Sequence, residues 1–298
     1  MKQFFYLLAA LGLVTGAAHA KLNVVASLPD FASLAEEIGG DKIKVTSLAK
    51  GTEDPHFVDA KPSFIRVLNQ ADVLIEGGAE LESGWLPPLV QNARNPRILP
   101  HAPGHIVLSR GLKLLDVPTT LDRSQGDVHA AGNPHFNLDP GNFKVMATTI
   151  AEGFSRLDPA NASVYQANLR AFSDRLDRKM ADWAKLAEPL RGVKVITYHK
   201  SFDYLAARYA FDIVGQIEPK PGLEPTPTHI NALIPKAKAA GVKLVMMEPN
   251  RARKTPQFVA DSIGAKLVIC PGLVGGSPEA KTCCDLIDCN LRALLKAL

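Results

Sequence analysis

No cysteine occurs before residue 270, so the stretch behind an N-terminal export signal offers no thiol to accept a lipid. Long hydrophobic runs are equally scarce. The one candidate, Phe4 to Val14, is too short for a spanning helix, and the residues after it are too small and neutral to anchor one. Charge of one sign is missing too: 34 cations against 30 anions give +4, too weak and dispersed for a nucleic-acid or acidic-lipid face. There is no low-complexity tract and no short internal repeat. The sequence His-Glu-x-x-His, the helical signature of a zinc protease, does not occur.

What is present begins with a leader. Lys2, the apolar run and Ala18-His19-Ala20 match a secretory signal cleaved after Ala20, so residues 1–20 are read as a signal peptide and the mature chain starts at Lys21. Loss of Lys2 with the signal takes the net charge from +4 to +3. A soluble exported protein, most simply periplasmic, follows. The mature chain exceeds the ~150 residues usual for one domain, which favours two. All four cysteines, Cys270, Cys283, Cys284 and Cys289, lie near the C-terminus. In an oxidising compartment they would tend to pair, and two bridges could connect in three ways. Cys283 and Cys289 are on different faces of an expected helix over 279–297, so the expected form is one staple from Cys270 to that helix.

Short β-branched runs alternate with helical patterns, the mark of parallel α/β units. Strands are expected at 22–27, 42–48, 72–77 and 106–109, then at 193–199, 212–217, 242–248 and 265–270, with helices between. From Lys113 to Asn133 the periodicity fails and a loop is expected. Tyr165, Leu169, Phe172, Leu176, Met180 and Trp183 recur at spacings of three and four, between Pro159 and Pro189. The reading is an α/β fold of two domains, 21–158 and 190–298, each with a mainly parallel sheet. One long rigid backbone helix over 159–189 joins them, and small tilts are expected in place of clam-shell closure.

Ligands of open α/β sheets collect at the carboxyl ends of strands. There the sequence places His56 (Glu53-Asp54-Pro55-His56), His199 (Thr197-Tyr198-His199) and Glu248 (Met246-Met247-Glu248-Pro249), and His135 lies in a loop entering a helix through Asp139-Pro140. His56 and His135 come from one half, His199 and Glu248 from the other. Three imidazoles with a carboxylate make a closed tetrahedral zinc shell. His129, beside Asp127, is a candidate auxiliary site. His101 and His105 flank a helix-breaking Pro103-Gly104 and are expected at the surface, and His229 in the first turn of a helix.

Asp54-Pro55-His56 with Lys61-Pro62-Ser63, the run Asn133 to Pro140, and His199 to Tyr209 strongly resemble the zinc/manganese solute-binding proteins of ABC transporters. The resemblance extends to the C-terminal helix. It implies a metal buried between two α/β domains joined by a rigid helix, and delivery to a permease in the inner membrane by a monomer. By motif match the family's histidine ligands fall on His56, His135 and His199. Manganese-type members often carry a carboxylate at the third position, so the resemblance favours Zn(II) over Mn(II) as the cargo.

Two features depart from the family pattern. Many members supply an aspartate after the last strand, where this chain reads Val268-Ile269-Cys270-Pro271-Gly272-Leu273. The fourth position is left to water, Glu248 or the Cys270 thiolate, and Glu248 more often supports than ligates in this family. The long histidine-rich loop of many zinc members is reduced here to Gly126-Asp127-Val128-His129. Each ligating imidazole must be neutral, so affinity is expected to fall as pH drops through ~6.5. Docking on the permease is expected to part the halves and release the metal. The competing readings are an exported zinc-dependent hydrolase, with Glu248 as base, and a metal-carrying adhesin of the same fold.

Overall fold

The computed structural model describes residues 21–119 and 129–298. The expected signal peptide and the Gly126-Asp127-Val128 segment lie outside the described residues. No helix among the described residues is long and apolar enough to cross a membrane.

The β-branched runs form two sheets of four parallel strands. The first comprises β1 (Leu22–Ala26), β2 (Ile43–Ser47), β3 (Val73–Glu76) and β4 (His105–Val107), in the order β2-β1-β3-β4. The second comprises β5 (Lys194–Thr197), β6 (Asp212–Gln216), β7 (Leu244–Met247) and β8 (Lys266–Ile269), in the order β6-β5-β7-β8. Parallel neighbours require crossovers. In the first half these are α1 (Pro29–Gly39), α2 (Pro62–Asn69) and α3 (Leu86–Asn92), in the second α6 (Asp203–Tyr209), α7 (Pro227–Ala240) and α8 (Lys254–Ile263). The order places β1 and β5 centrally, with their carboxyl ends flanked by loops on both sides.

Between the sheets run α4 (Pro140–Leu157) and α5 (Ala162–Leu186), and α9 (Cys283–Ala297) closes the chain. The apolar stripe read from the sequence is the buried face of α5, with Tyr165, Phe172, Leu176 and Trp183 inside. Its bounding prolines sit in 3₁₀ turns, Pro159–Asn161 and Glu188–Leu190, which shorten the α-helix to 25 residues, about 37 Å. The helix serves both halves. Its Asn168 donates to Ile38 O of α1 at 2.9 Å and its Trp183 Nε1 to Asp288 of α9 at 3.2 Å.

One continuous hydrophobic cluster takes in β1, β3, α4 and α5 and continues into Phe202, Leu205, Met246 and the α9 face. The halves are therefore fused through apolar packing, which gives the expected rigidity a physical basis. Asp30 adds a polar tie. Buried on α1, it accepts from Asn137 Nδ2 at 2.8 Å and from Val274 N at 2.9 Å, the latter beyond β8 in the other half. Burial pushes its carboxyl up to about 6 against those hydrogen bonds.

Two expectations are corrected. The staple from Cys270 to the last helix is not formed: Cys270, Cys283, Cys284 and Cys289 are all free thiols. The sulfurs have other neighbours, Cys283 Sγ donating to Asp30 O at 3.2 Å and Cys289 Sγ lying 3.6 Å from Ser277 Oγ. Asn290 Nδ2, donating to Pro271 O at 2.9 Å, joins α9 to the loop after β8 instead. His105 is not a surface residue. It lies on β4 with Nε2 3.0 Å from Glu76 on the neighbouring strand.

Candidate metal centre

Each of three histidines is aimed by its own local turn. Asp54 Oδ1 accepts from His56 N at 3.0 Å, an Asx turn that a Pro at the intervening position suits, and Trp85 Nε1 donates to Pro55 O at 2.9 Å. Asn133 repeats the device, its Oδ1 accepting from His135 N at 3.0 Å while its Nδ2 donates to Lys200 O at 2.9 Å. His199 stands in extended conformation just past β5, leading into a 3₁₀ turn over Lys200–Phe202.

These turns bring the three rings together. The Nε2 atoms of His56 and His199 each lie 3.2 Å from His135 Nε2. All three ligand atoms fall within 4.8 Å of one another, and the rings meet nearly edge to face. A tetrahedron with the usual zinc–imidazole bond of about 2.0 Å has edges of about 3.3 Å. The two separations from His135 Nε2 match such an edge.

Electrostatics keep the rings ready to ligate. Burial, reinforced by His199, pushes the His56 imidazolium down to about 3, and burial together with the other two histidines holds His135 well below the usual range. Both are neutral imidazoles at neutral pH. His199 is oriented from behind. Its Nδ1 lies 2.6 Å from Glu218 Oε2, so Nδ1 carries the proton and the Nε2 lone pair faces the other two rings.

Glu218 was not singled out in the sequence. It lies just past β6, the neighbour of β5, by the same strand-end logic that found Glu248 past β7, the other neighbour. The two carboxylates thus follow the two strands that flank β5. Glu248 accepts from Ser201 Oγ at 2.5 Å, and its Oε2 is buried with no hydrogen-bond partner. The structure does not bring Glu248 into the group of mutually close ligand atoms, nor Cys270, whose thiol burial pushes up, away from the thiolate a ligand needs.

His129 stacks on His56 with ring centroids 5.1 Å apart and planes 19° from parallel, and its Nδ1 is 3.9 Å from Glu80 Oε2. It thus borders the triad without joining it. Two cavities adjoin the rings. One of about 20 Å³ is walled by all three histidines, Glu248 and Arg251; another of about 280 Å³ borders His129, His135 and His199.

A family model, "Zinc-uptake complex component A periplasmic", ZnuA, matches residues 24–297. The metal ABC transporter substrate-binding lipoprotein ScbA of Streptococcus cristatus is 28% identical over 233 residues, 76% of this chain and 72% of that one. PsaA of Streptococcus mitis, a manganese ABC transporter substrate-binding lipoprotein, is 27% identical over 244 residues, 80% of this chain and 76% of its own. MtsA of Streptococcus pyogenes serotype M1, named for iron, is 26% identical over 249 residues, covering 82% and 77%. A crystal structure of ZnuA shares the fold with a TM-score of 0.76 and 27% identity, over 93% of this chain and 99% of that one.

Proposed function

The chain belongs to the ZnuA family of substrate-binding proteins of metal ABC transporters, and from that premise we propose that its cargo is Zn(II), held by His56, His135 and His199. The partner is an ABC permease. Export to the periplasm, cleavage after Ala20 and action as a monomer complete the reading, in which the relatives are binding proteins and not enzymes. The single observation that carries zinc is the all-imidazole triad with 3.2 Å Nε2 separations. Manganese prefers oxygen ligands, and this triad offers only nitrogen. Because relatives are named for manganese and iron as well as zinc, the test has to read coordination as well as affinity.

Affinity alone is a poor discriminator, since most nitrogen sites bind zinc above manganese. The informative experiment substitutes Co(II) in the purified protein and records its visible spectrum beside a competitive titration of Zn(II), Mn(II) and Fe(II). The expected result is one tight zinc per chain, weak manganese and the intense bands of four-coordinate cobalt. Six-coordinate cobalt, or manganese as tight as zinc, would sink the zinc assignment. His129, stacked on His56 near Glu80, is assigned an auxiliary role in passing the metal inward.

Proton competition is weaker than three free histidines would give. With His56 pushed down to about 3 and His135 well below its usual range, protons displace metal from neither ring near pH 6. The plot of log affinity against pH below 6.5 is therefore shallower than three protons. The cost appears instead in folding of the metal-free protein: the unfolded chain binds these protons from ~6.5 downward and the folded one does not, so both rings withdraw stability as pH falls from there. Zinc titrations at half-unit pH steps check the slope. A thousandfold loss per pH unit between 6 and 5 contradicts it.

A further inference from the structure

The cargo reading leaves unexplained a cation beside a site built for a cation. Arg251 follows β7 in the second half. Its Nη2 lies 3.0 Å from Asp54 Oδ2 in the first half, and its Nη1 lies 3.5 Å from Glu218 Oε1. Its guanidinium stacks over the Tyr198 ring, 5.3 Å from the centroid. Asp54 is the residue whose other oxygen forms the His56 turn, and Glu218 is the residue that orients His199. An unbroken chain of contacts, His56 turn to Asp54 to Arg251 to Glu218 to His199, thus joins a metal ligand of one half to a metal ligand of the other.

Resting on the proposed cargo site, we infer that Arg251 is a positioning residue that brackets the two halves and sets the rate at which the metal leaves. The bracket is placed where it can open. The side chains of Arg251 and Asp54 are 20% and 15% exposed, whereas those of His199 and Glu218 are 6% and 5%. Water can compete at the rim joint between halves, while the joint to His199 is sealed. Nε of Arg251 is buried without a hydrogen-bond partner. Among the described residues, its two terminal nitrogens and the Tyr198 face hold the side chain, and loss of Asp54 removes this tie across the cleft.

Two effects of Arg251 on a divalent cation have opposite signs. Its charge repels the metal, so its removal would slow release if electrostatics dominated. Its bracket holds the halves together, so removal would speed release if geometry dominated. The guanidinium contacts two carboxylates that offset its charge, which weakens the repulsion and leaves the bracket in control.

The experiment measures zinc release from the purified protein into excess chelator, and zinc capture by stopped flow, for wild type, Arg251→Met, Asp54→Asn and the double variant. Asn at position 54 keeps the oxygen that forms the His56 turn. The expected result is release about tenfold faster or more for Arg251→Met, a loss of about 1.4 kcal/mol or more. Capture is expected to be unchanged or faster, because two carboxylates are freed. Asp54→Asn gives a similar increase and the double variant little more, since both break one contact. Arg251→Lys, which can reach only one of the two carboxylates, recovers part of the effect. Release within twofold of wild type, slower release, or fully multiplicative effects in the double variant would overturn the bracket. Failure of the cargo reading looks different: the wild-type protein itself would then take up no stoichiometric zinc.

Discussion

Replacing His135 with alanine lowers zinc affinity by about two to three orders of magnitude, the largest effect expected of a single side chain in the site. His135 is the central member: its Nε2 is the atom from which both other ligand nitrogens are 3.2 Å away. Structural zinc sites bind with roughly 10–16 kcal/mol spread over four ligands, so one ligand contributes about 2.5–4 kcal/mol. Among the described residues, no other donor belongs to the group of mutually close ligand atoms. One oxygen of Glu248 is engaged with Ser201, Glu218 with His199 and Arg251, and His129 stacks on His56. His56→Ala and His199→Ala should fall in the same range, Glu218→Gln by about tenfold to a hundredfold because it acts through His199, and His129→Ala only slightly. Competitive titration against a chromophoric chelator gives each value. Wild-type affinity in the three triad variants would remove the basis of the assignment.

The triad was legible because its members sit in turns with strong local signals. Asp54-Pro55-His56 and Asn133-Pro134-His135 are Asx-type turns, and His199 ends a β-branched run, so spacing and strand ends sufficed. Glu218 obeys the same rule but escaped notice. Finding it requires knowing that β6 lies next to β5, and strand order is a product of tertiary packing that hydrophobic periodicity does not encode. The cysteines show the converse. Their clustering near the C-terminus suggested a staple, yet Cys283 faces α1 and Cys289 faces Ser277, directions that depend on how α9 is rotated against its neighbours. Asp30, following Pro29 at a helix start, carries no local signal of burial. Only the approach of the loop after β8 turns it into a buried tie between halves.

Gly51→Ala tests that approach most severely, and its expected effect on stability exceeds that of any other substitution considered. Gly51 sits between β2 and the His56 turn and reads in sequence as an ordinary turn glycine. Its backbone has no positive φ, so conformational freedom is not the reason for glycine here. Space is the reason: a Cβ at this position would lie well inside van der Waals contact of Val274 O, Gly275 C and Gly276 N, all backbone atoms of the other half. A flexible side chain could swing away, but backbone can yield only if the loops part. Overpacking of this kind costs about 1–3 kcal/mol or more, and fused backbone contacts belong at the upper end. The same parting moves His56 relative to His199, and a ligand set tolerates displacement of only about 0.5 Å before binding suffers. Gly51→Ala is therefore expected to lose roughly 3 kcal/mol of stability and to bind zinc at least about tenfold more weakly, a joint loss that a purely local strain does not produce. Gly192→Ala supplies the control. There φ is +71° but nothing stands within 4 Å of the added carbon, so backbone strain should lower the melting temperature and leave zinc affinity unchanged. Thermal melts and zinc titrations of the two variants separate these outcomes. Wild-type zinc affinity in Gly51→Ala would mean that the contact between Gly51 and the loop after β8 does not hold the halves in register.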